Sequence, residues 1–349
     1  MSVRVVAIGD TDHIAYLFAA LTEWDALELV AAAPGGAGDT LDAFAWHAAE
    51  CGRAWTRYDD YRVMLDRERA DLVVVAPALA LQSAIACACL ARGLAVMIEK
   101  PMALTVADLV LVRAAHEAAR RPLGMMLAGR YEPAFHTAQR LVREGAIGEP
   151  TGGSAQKSFK RGRRPDWFRR RCTFGGIWAW VGIDVIDGCR YVSGHEVAGV
   201  RTWTSKLHAP DYPEMEDTAA GVLAFDNGAT MTVQVDFLRP VGAATHSAVG
   251  LRLAGERGEL EVLGPDALRL TDAAGSRLVA VQRPSLGLVA DFARSVVDPS
   301  HRCLLSSADA LRATELALWA RAAADEAAAS LHGGGDDGDG RTAEEARRQ

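Results

Sequence analysis

Four stretches in the first hundred residues are nearly or wholly apolar: VRVVAIG (3–9), LELVAAA (27–33), DLVVVAPA (71–78) and AVMIEKP (95–101). Continuous apolar runs of this length, as opposed to alternating ones, mark strands covered on both faces. The segments between them carry helical periodicity. These are the residues after His13, LDAFAWHAAECG (41–52), YDDYRVMLDRERA (58–70), LQSAIACACLARG (81–93) and TVADLVLVRAAHEAARR (105–121). Gly52 and Gly93 close two of these helices. Buried strands alternating with helices leave one economical solution, a parallel sheet with helices on both sides. This is the doubly wound plan of dinucleotide-binding domains.

The pattern changes after LGMMLAGRY (123–131), which reads as one more strand. PAFHTAQRLVREG (133–145) reads as a helix ended by Gly145 and Gly148. Strands then dominate: GGSAQKSF (152–159), VAGVRTWTS (197–205), TAAGVLAFDNGATMTVQVDFL (218–238), VGLRLAGERGELEVLG (249–264) and ALRLTDAAGSRLVAVQ (267–282). FDNG and GERGE supply turns between alternating strands. A helix near Ile177–Val192 interrupts them, and SADALRATELALWARAAADEAAAS (307–330) closes the fold. A chain of 349 residues suits two domains. The expected division is a dinucleotide-binding domain at 1–122 and an α+β domain with a mostly antiparallel sheet at 123–331. A Gly- and charge-rich tail at 332–349 is expected to be disordered.

Acidic residues outnumber basic ones, 45 to 38, for a net charge of −7. That argues against general affinity for nucleic acid or anionic membrane. No secretory leader is expected at MSVRVVAIGD, and the longest apolar run, Leu72–Leu81, is too short to cross a bilayer. The six cysteines are scattered without CxxC spacing, as reduced thiols of a cytoplasmic protein would be. The nine histidines are dispersed, with no HExxH, so no metal site is expected.

The residues with chemical potential gather where the strands of such a sheet end. VAIGDTDHIAY (6–16) is a strand running into a helix, the place for a glycine loop, yet only Gly9 is a glycine. EKPMALT (99–105) follows another strand, where a Lys can hydrogen-bond a substrate hydroxyl. This stretch resembles the EKP motif of the Gfo/Idh/MocA oxidoreductases, named after glucose-fructose oxidoreductase and inositol dehydrogenase. GRYEPAFHTAQRLVREGAIGEP (129–150) is similar to their domain crossover, with Arg130, Pro133, Gly145 and Gly148 in place. GGIWAWVGIDVID (175–187) resembles their central helix, and LRLAGERGELEV (251–262) their late hairpin. The similarity covers roughly residues 3–325. It implies a Rossmann domain joined to an open-faced sheet domain that forms homodimers or homotetramers. It also implies NAD(P)-linked chemistry on sugars, cyclitols or related polyols, with Lys100 polarising the reacting oxygen.

Three departures from the family pattern bear on the site. In the glycine loop, Thr11 stands at the second glycine position and Ile14 at the third. Thr11 narrows the approach to a pyrophosphate, and Asp10 and Asp12 add negative charge, while helix-start amides still attract phosphate. Asp12 is also a candidate N-cap. His13 matches the His of a G-T-x-G-H branch. At the end of the second strand, Ala33 and Pro34 stand where an acid normally grips the ribose, so NAD and NADP both remain open. Cofactor contacts are expected from Gly9, Thr11, Asp12, His13, Pro34, Ala76, Pro77, Gln82, Glu99 and Lys100. In the central helix, the family's Asp-x-x-x-His becomes Trp180 and Asp184. Asp184 either accepts a proton beside Lys100, holds a substrate hydroxyl, or forms a buried ion pair. Asp187, one turn on, is equally a structural partner or a site group.

QKSFKRGRRPDWFRRR (156–171) is the most basic patch of an acidic chain. Lys157 and Arg164 are its candidates for an anionic group of a small polar substrate. Glu216, Arg239 and His246 lie in segments resembling cleft-lining loops, and His246 is a candidate to replace the missing helix His. The reading is a dehydrogenase with Lys100, Asp184 and His246 as catalytic candidates. The same departures leave open a redox-neutral elimination, epimerisation or rearrangement, and a non-catalytic binding subunit.

Overall fold

The computed structural model describes residues 2–333. The tail expected from residue 332 lies, from residue 334 onward, outside the described residues. The first sheet holds six parallel strands: β1 (Val3–Ile8), β2 (Leu27–Ala33), β3 (Thr56–Arg57), β4 (Leu72–Val75), β5 (Ala95–Glu99) and β6 (Leu123–Met126). Their spatial order is β3-β2-β1-β4-β5-β6. All residues of β4, β5 and β6 are buried, as continuous apolar strands require. Helices α1 (Ala15–Glu23), α2 (Asp42–Glu50), α3 (Tyr61–Arg67), α4 (Leu79–Ala91) and α5 (Val106–Ala119) make the crossovers. The Thr105 hydroxyl caps α5 by accepting Asp108 N, and Asp60 caps α3 by accepting Arg62 N. The order reverses between β1 and β4, which opens a crevice at the carboxyl ends of those strands.

Strand β6 pairs with β5 in parallel, so the first sheet runs past the boundary expected at residue 122. The chain then crosses through α6 (Pro133–Arg143), which has Pro at its first position. The second sheet comprises β7 (Pro150–Phe159), β8 (Val197–Ser205), β9 (Thr218–Phe225), β10 (Thr230–Asp236), β11 (Ser247–Gly255), β12 (Gly258–Val262), β13 (Leu268–Asp272) and β14 (Gly275–Val279). Its order is β14-β13-β12-β11-β7-β10-β9-β8, antiparallel except for the β7–β10 pair. Burial alternates along β9 and β10, so one face packs on the core and the other is open. Helix α7 (Arg171–Phe174) and helix α8 (Ile183–Ser193) lie on the packed side, α8 being preceded by a π turn at Trp178–Gly182. Helix α8 is buried nearly all round, as expected for a helix packed between the second sheet and other helices.

A helix not read from the sequence, α9 (Leu288–Val297), returns to the first domain. Its Leu288, Val289, Phe292 and Ala293 join one core cluster with α1 and the lower face of β1, β4 and β5. Helix α10 (Ser307–Gly333) packs on β8 and also touches α5 and β6. The first domain is therefore completed by residues far along the chain.

Candidate active site

The β1–α1 loop is held by the protein itself. Gly9 has φ +79°, and a Cβ there would lie 2.5 Å from the Ala76 carbonyl oxygen, so only glycine fits. Thr11 N donates to Ala76 O at 2.8 Å, and the Thr11 hydroxyl reaches Ala76 O at 2.8 Å and Pro77 O at 3.2 Å. Asp10 turns to the start of α2, where Oδ2 accepts Ala43 N at 3.0 Å. Burial pushes the Asp10 carboxyl up, and the α2 amides pull against it. The charge of Asp10 and the missing glycine are thus absorbed into the scaffold.

Around this loop lies a cleft of about 800 Å³, lined by residues including Asp10, Thr11, Asp39, Thr40, His47 and Trp167. That volume is in the range of small-molecule sites. The loop after Pro34 folds back on Pro77: a Cβ on Gly35 would lie 2.4 Å from the Pro77 Cβ. The fold-back brings Asp39 into the cleft, its Oδ2 accepting Gly35 N at 2.8 Å. An acid thus returns near the end of β2 by a longer route. Two acceptors at the same sheet edge, Glu99 Oε2 and Gln82 Oε1, are buried without a hydrogen-bond partner among the described residues. A ligand bearing donors would satisfy them. Room, a loop acid and orphaned acceptors make this crevice fit a dinucleotide. Gln82 Nε2 also props the EKP turn from below by donating to Pro101 O.

Lys100 and Asp184 share one buried pocket. Lys100 Nζ lies 3.1 Å from Asp184 Oδ2, with the side chains only 4% and 8% exposed. Lys157, from β7, takes the other oxygen, Nζ to Oδ1 3.1 Å. Lys100 Nζ also donates to the Trp180 carbonyl and lies 4.3 Å above the centroid of the Trp180 ring. Burial alone would raise the Asp184 carboxyl, but Lys100 and Lys157, with His13, outweigh it and hold it down at about 2. At neutral pH Asp184 is an anion clamped between two cations and a poor proton acceptor.

His13 reaches this pocket from the glycine loop. Its Nδ1 is 2.7 Å from Glu99 Oε1, which also accepts Lys100 N at 3.0 Å. Its ring stacks on Tyr16 at 5.3 Å and on Trp180 at 6.1 Å. Tyr16 and Glu132 are site neighbours that the sequence reading missed. Burial, with Asp184 and Glu99 nearby, keeps the Tyr16 phenol protonated. Burial also raises the Glu132 carboxyl, against the pull of Lys157. Glu132 follows Arg130 in the crossover motif, a position whose proximity to Lys157 only the fold reveals.

Other expected site residues are engaged elsewhere. Asp187 holds Arg130 through two hydrogen bonds, 2.9 and 2.7 Å, and Arg190 at 3.3 Å. Glu216 pairs with Arg171 at 2.8 Å and accepts Ile177 N at 3.2 Å, bracing the approach to the π turn. Arg239 ties its own loop, donating to Thr245 O at 2.9 Å. Arg164 lies over the rings of Phe168 and Phe237 and donates to Lys160 O at 3.1 Å. The His246 ring is 5.7 Å from that of Phe159 on an exposed loop. Of the substrate candidates, Lys157 and Trp180 meet the Lys100–Asp184 pair directly. Among the described residues, Asp291, His301 and Cys303 could together hold a metal ion. The Asp291 carboxylate is already engaged there by His301, Tyr131 and Leu304 N.

Fold and site define a class: a Rossmann domain whose sheet edge presents a Lys to a carboxylate on a helix of a second, sheet-based domain. The family model described as "Oxidoreductase family, NAD-binding Rossmann fold" matches residues 4–125, and the "GFO/IDH/MocA C-terminal domain" matches residues 135–261. A solved structure from Thermotoga maritima, assigned as an oxidoreductase, is 32% identical with a TM-score of 0.88, covering 93% of this chain and 98% of that one. The chain belongs to the Gfo/Idh/MocA family. Curated relatives include D-apiose dehydrogenase of Paraburkholderia graminis, 27% identical over 66% of this chain and 60% of the relative. Inositol 2-dehydrogenase 2 of Saccharopolyspora erythraea is 27% identical over 63% of this chain and 62% of the relative. The chain thus spans about three-fifths of the length of these curated relatives. No helix among the described residues is long and apolar enough to cross a membrane.

Proposed function

We propose that this chain is an NAD-dependent dehydrogenase of a sugar, cyclitol or related polyol. The observation that carries the reading is the Lys100–Asp184–Lys157 array at the carboxyl edge of a dinucleotide-type sheet. Gly9, Thr11, Asp39, Gln82 and Glu99 would hold the dinucleotide, which when bound accepts a hydride from the substrate carbon. Lys100 donates a hydrogen bond to the reacting oxygen and carries the charge that develops there as its proton leaves. Lys157 supports the same charge, and Asp184 keeps both ammonium groups in place.

Two preferences follow. Asp39 in the cleft, with no Arg or Lys among the described residues that line it, favours NAD over NADP, because a 2′-phosphate would meet negative charge. Lys157 is paired with Asp184 and Arg164 packs on aromatic rings, so neither of the two basic candidates is presented to an anionic group, which favours a neutral polyol. The open face of the second sheet supports a homo-oligomer, and six free thiols suit the cytoplasm. The test is titration with NADH and NADPH by energy transfer from tryptophan, then turnover on a polyol panel. Lys100→Ala is expected to abolish turnover with the fold intact, as checked by circular dichroism. Activity retained in that variant would remove Lys100 from the mechanism.

A further inference from the structure

Within the dehydrogenase reading, we propose that His13 is the proton acceptor that the central helix lacks. The reaction needs a base for the substrate hydroxyl, and both oxygens of Asp184 are taken, one by each Lys. The His13 ring lies 6.1 Å from that of Trp180, whose carbonyl accepts Lys100 Nζ beside Asp184. It arrives from the opposite domain, on the loop between β1 and α1.

The geometry prepares it for proton exchange. A carboxylate only accepts, so the 2.7 Å contact from Glu99 Oε1 requires the proton of a neutral His13 ring to sit on Nδ1. That tautomer leaves a lone pair on Nε2. Glu99 is fully buried and is itself fixed by Lys100 N, so the ring cannot easily turn. Tyr16 and Trp180 flank the ring. The side chain nevertheless remains 29% exposed, so part of the ring is open to substrate and water. The titratable and charged groups around it are Glu99 and Lys100 at the end of β5, Tyr16 on α1 and Asp184 on α8. A carboxylate that orients an imidazole and leaves its second nitrogen unprotonated is the arrangement that hydrolytic sites use for a general base.

In oxidation of an alcohol, the O–H bond breaks and its proton passes to His13 Nε2. The C–H electron pair leaves with its hydrogen as the hydride that the oxidised dinucleotide accepts, and the carbon–oxygen double bond forms. The imidazolium then returns its proton to water. Lys100 and Lys157 carry the oxygen charge in between, without themselves losing a proton.

Two experiments test the assignment on the full chain. Nitrogen-15 spectra of its histidines, with His13→Gln for assignment, are expected to show the Nδ1–H tautomer of His13 at neutral pH. An Nε2–H tautomer would overturn the proposal without any substrate. Oxidation of myo-inositol with NAD is then followed across pH 6–9. His13→Gln is expected to lower kcat by about 10²–10⁴-fold and to abolish the rising limb of the pH profile, with NADH affinity held within about threefold. Added imidazole should restore part of the activity of His13→Gly. A kcat that survives His13→Gln, or a loss explained wholly by weaker NADH binding, refutes His13 and leaves the dehydrogenase reading standing. Absence of turnover by the wild-type chain on a whole polyol panel refutes both.

Discussion

Replacing Asp184 by Asn removes one negative charge from between two ammonium groups, each 3.1 Å away. The substitution keeps the shape of the side chain, so packing changes little. What remains is a pair of buried cations, Lys100 and Lys157, without their counter-ion. Breaking a buried ion pair from one side costs about 3–5 kcal/mol. At least one Lys relieves this by losing its proton in the folded state, because its folded pKa falls below its unfolded value. The unfolded chain then binds more protons than the folded one at intermediate pH, so stability of the variant rises with pH. The expected slope is about 1.4 kcal/mol per pH unit for one such Lys, flattening above its unfolded pKa of about 10.4. In the wild type the carboxylate is already ionised and no comparable rise occurs. Urea unfolding of both proteins at pH 7 and pH 9.5 measures this directly. A deficit of about 3 kcal/mol at pH 7 should shrink to about half or less at pH 9.5. A deficit below about 1 kcal/mol, or one independent of pH, would mean that the lysines are solvated and the clamp is not a unit.

Other consequences are independent of this clamp. Asp187→Ala takes from the buried guanidinium groups of Arg130 and Arg190 the more buried of the two carboxylates they share, leaving Asp309, and should destabilise the chain by about 3 kcal/mol in urea. Asp39→Ser should narrow the preference for NADH over NADPH by about tenfold, or about 1.4 kcal/mol, in fluorescence titration; an unchanged ratio would remove Asp39 from the ribose site. Trp203→Glu and Val222→Glu place charge on the exposed face of the second sheet, where the native residues are 49% and 37% exposed. Together they should convert an oligomer to monomers in sedimentation, and no change would locate the interface elsewhere. Acid should also loosen the domain junction. Asp184 is depressed on folding, so its stabilisation is full above the unfolded carboxyl range and is lost as pH falls towards about 2.

The parallel sheet was legible because its strands are buried on both faces, and such strands cannot be confused with solvent-facing ones. Helix α9 was not. Its apolar residues Leu288, Val289, Phe292 and Ala293 fit a helix, but it is ten residues long and follows a series of strands. What stabilises it is the distant surface of α1 and β1, which no local pattern announces. The meeting of Lys100 with Asp184 could be anticipated, since each occupies a motif position. The partners of Glu216 and Arg239 could not, because a charge in a loop does not name its counter-charge; Arg171 and Thr245 do so only in the folded chain. Asp39 escaped notice for a similar reason. It sits in a glycine-rich loop, and only the packing of that loop on Pro77 turns its carboxylate inward.

Moving the proton acceptor from the central helix to the glycine loop alters which parts of the molecule must stay in register. Lys100, Glu99 and His13 all belong to the Rossmann domain, and Glu99 Oε1 bonds both of the others. The His13 ring and the Lys100 backbone are therefore tied to one carboxylate at the edge of one sheet. Asp184 and Lys157 belong to the second domain, so the charge clamp spans the domain junction, where Trp180 also takes Lys100 Nζ and stacks on His13. An aspartate suits that position better than a histidine would: held at low pKa, it gives a permanent negative charge that draws two lysines together across the domain boundary. The division of labour places proton transfer at the sheet edge and recognition of the oxygen at the domain junction.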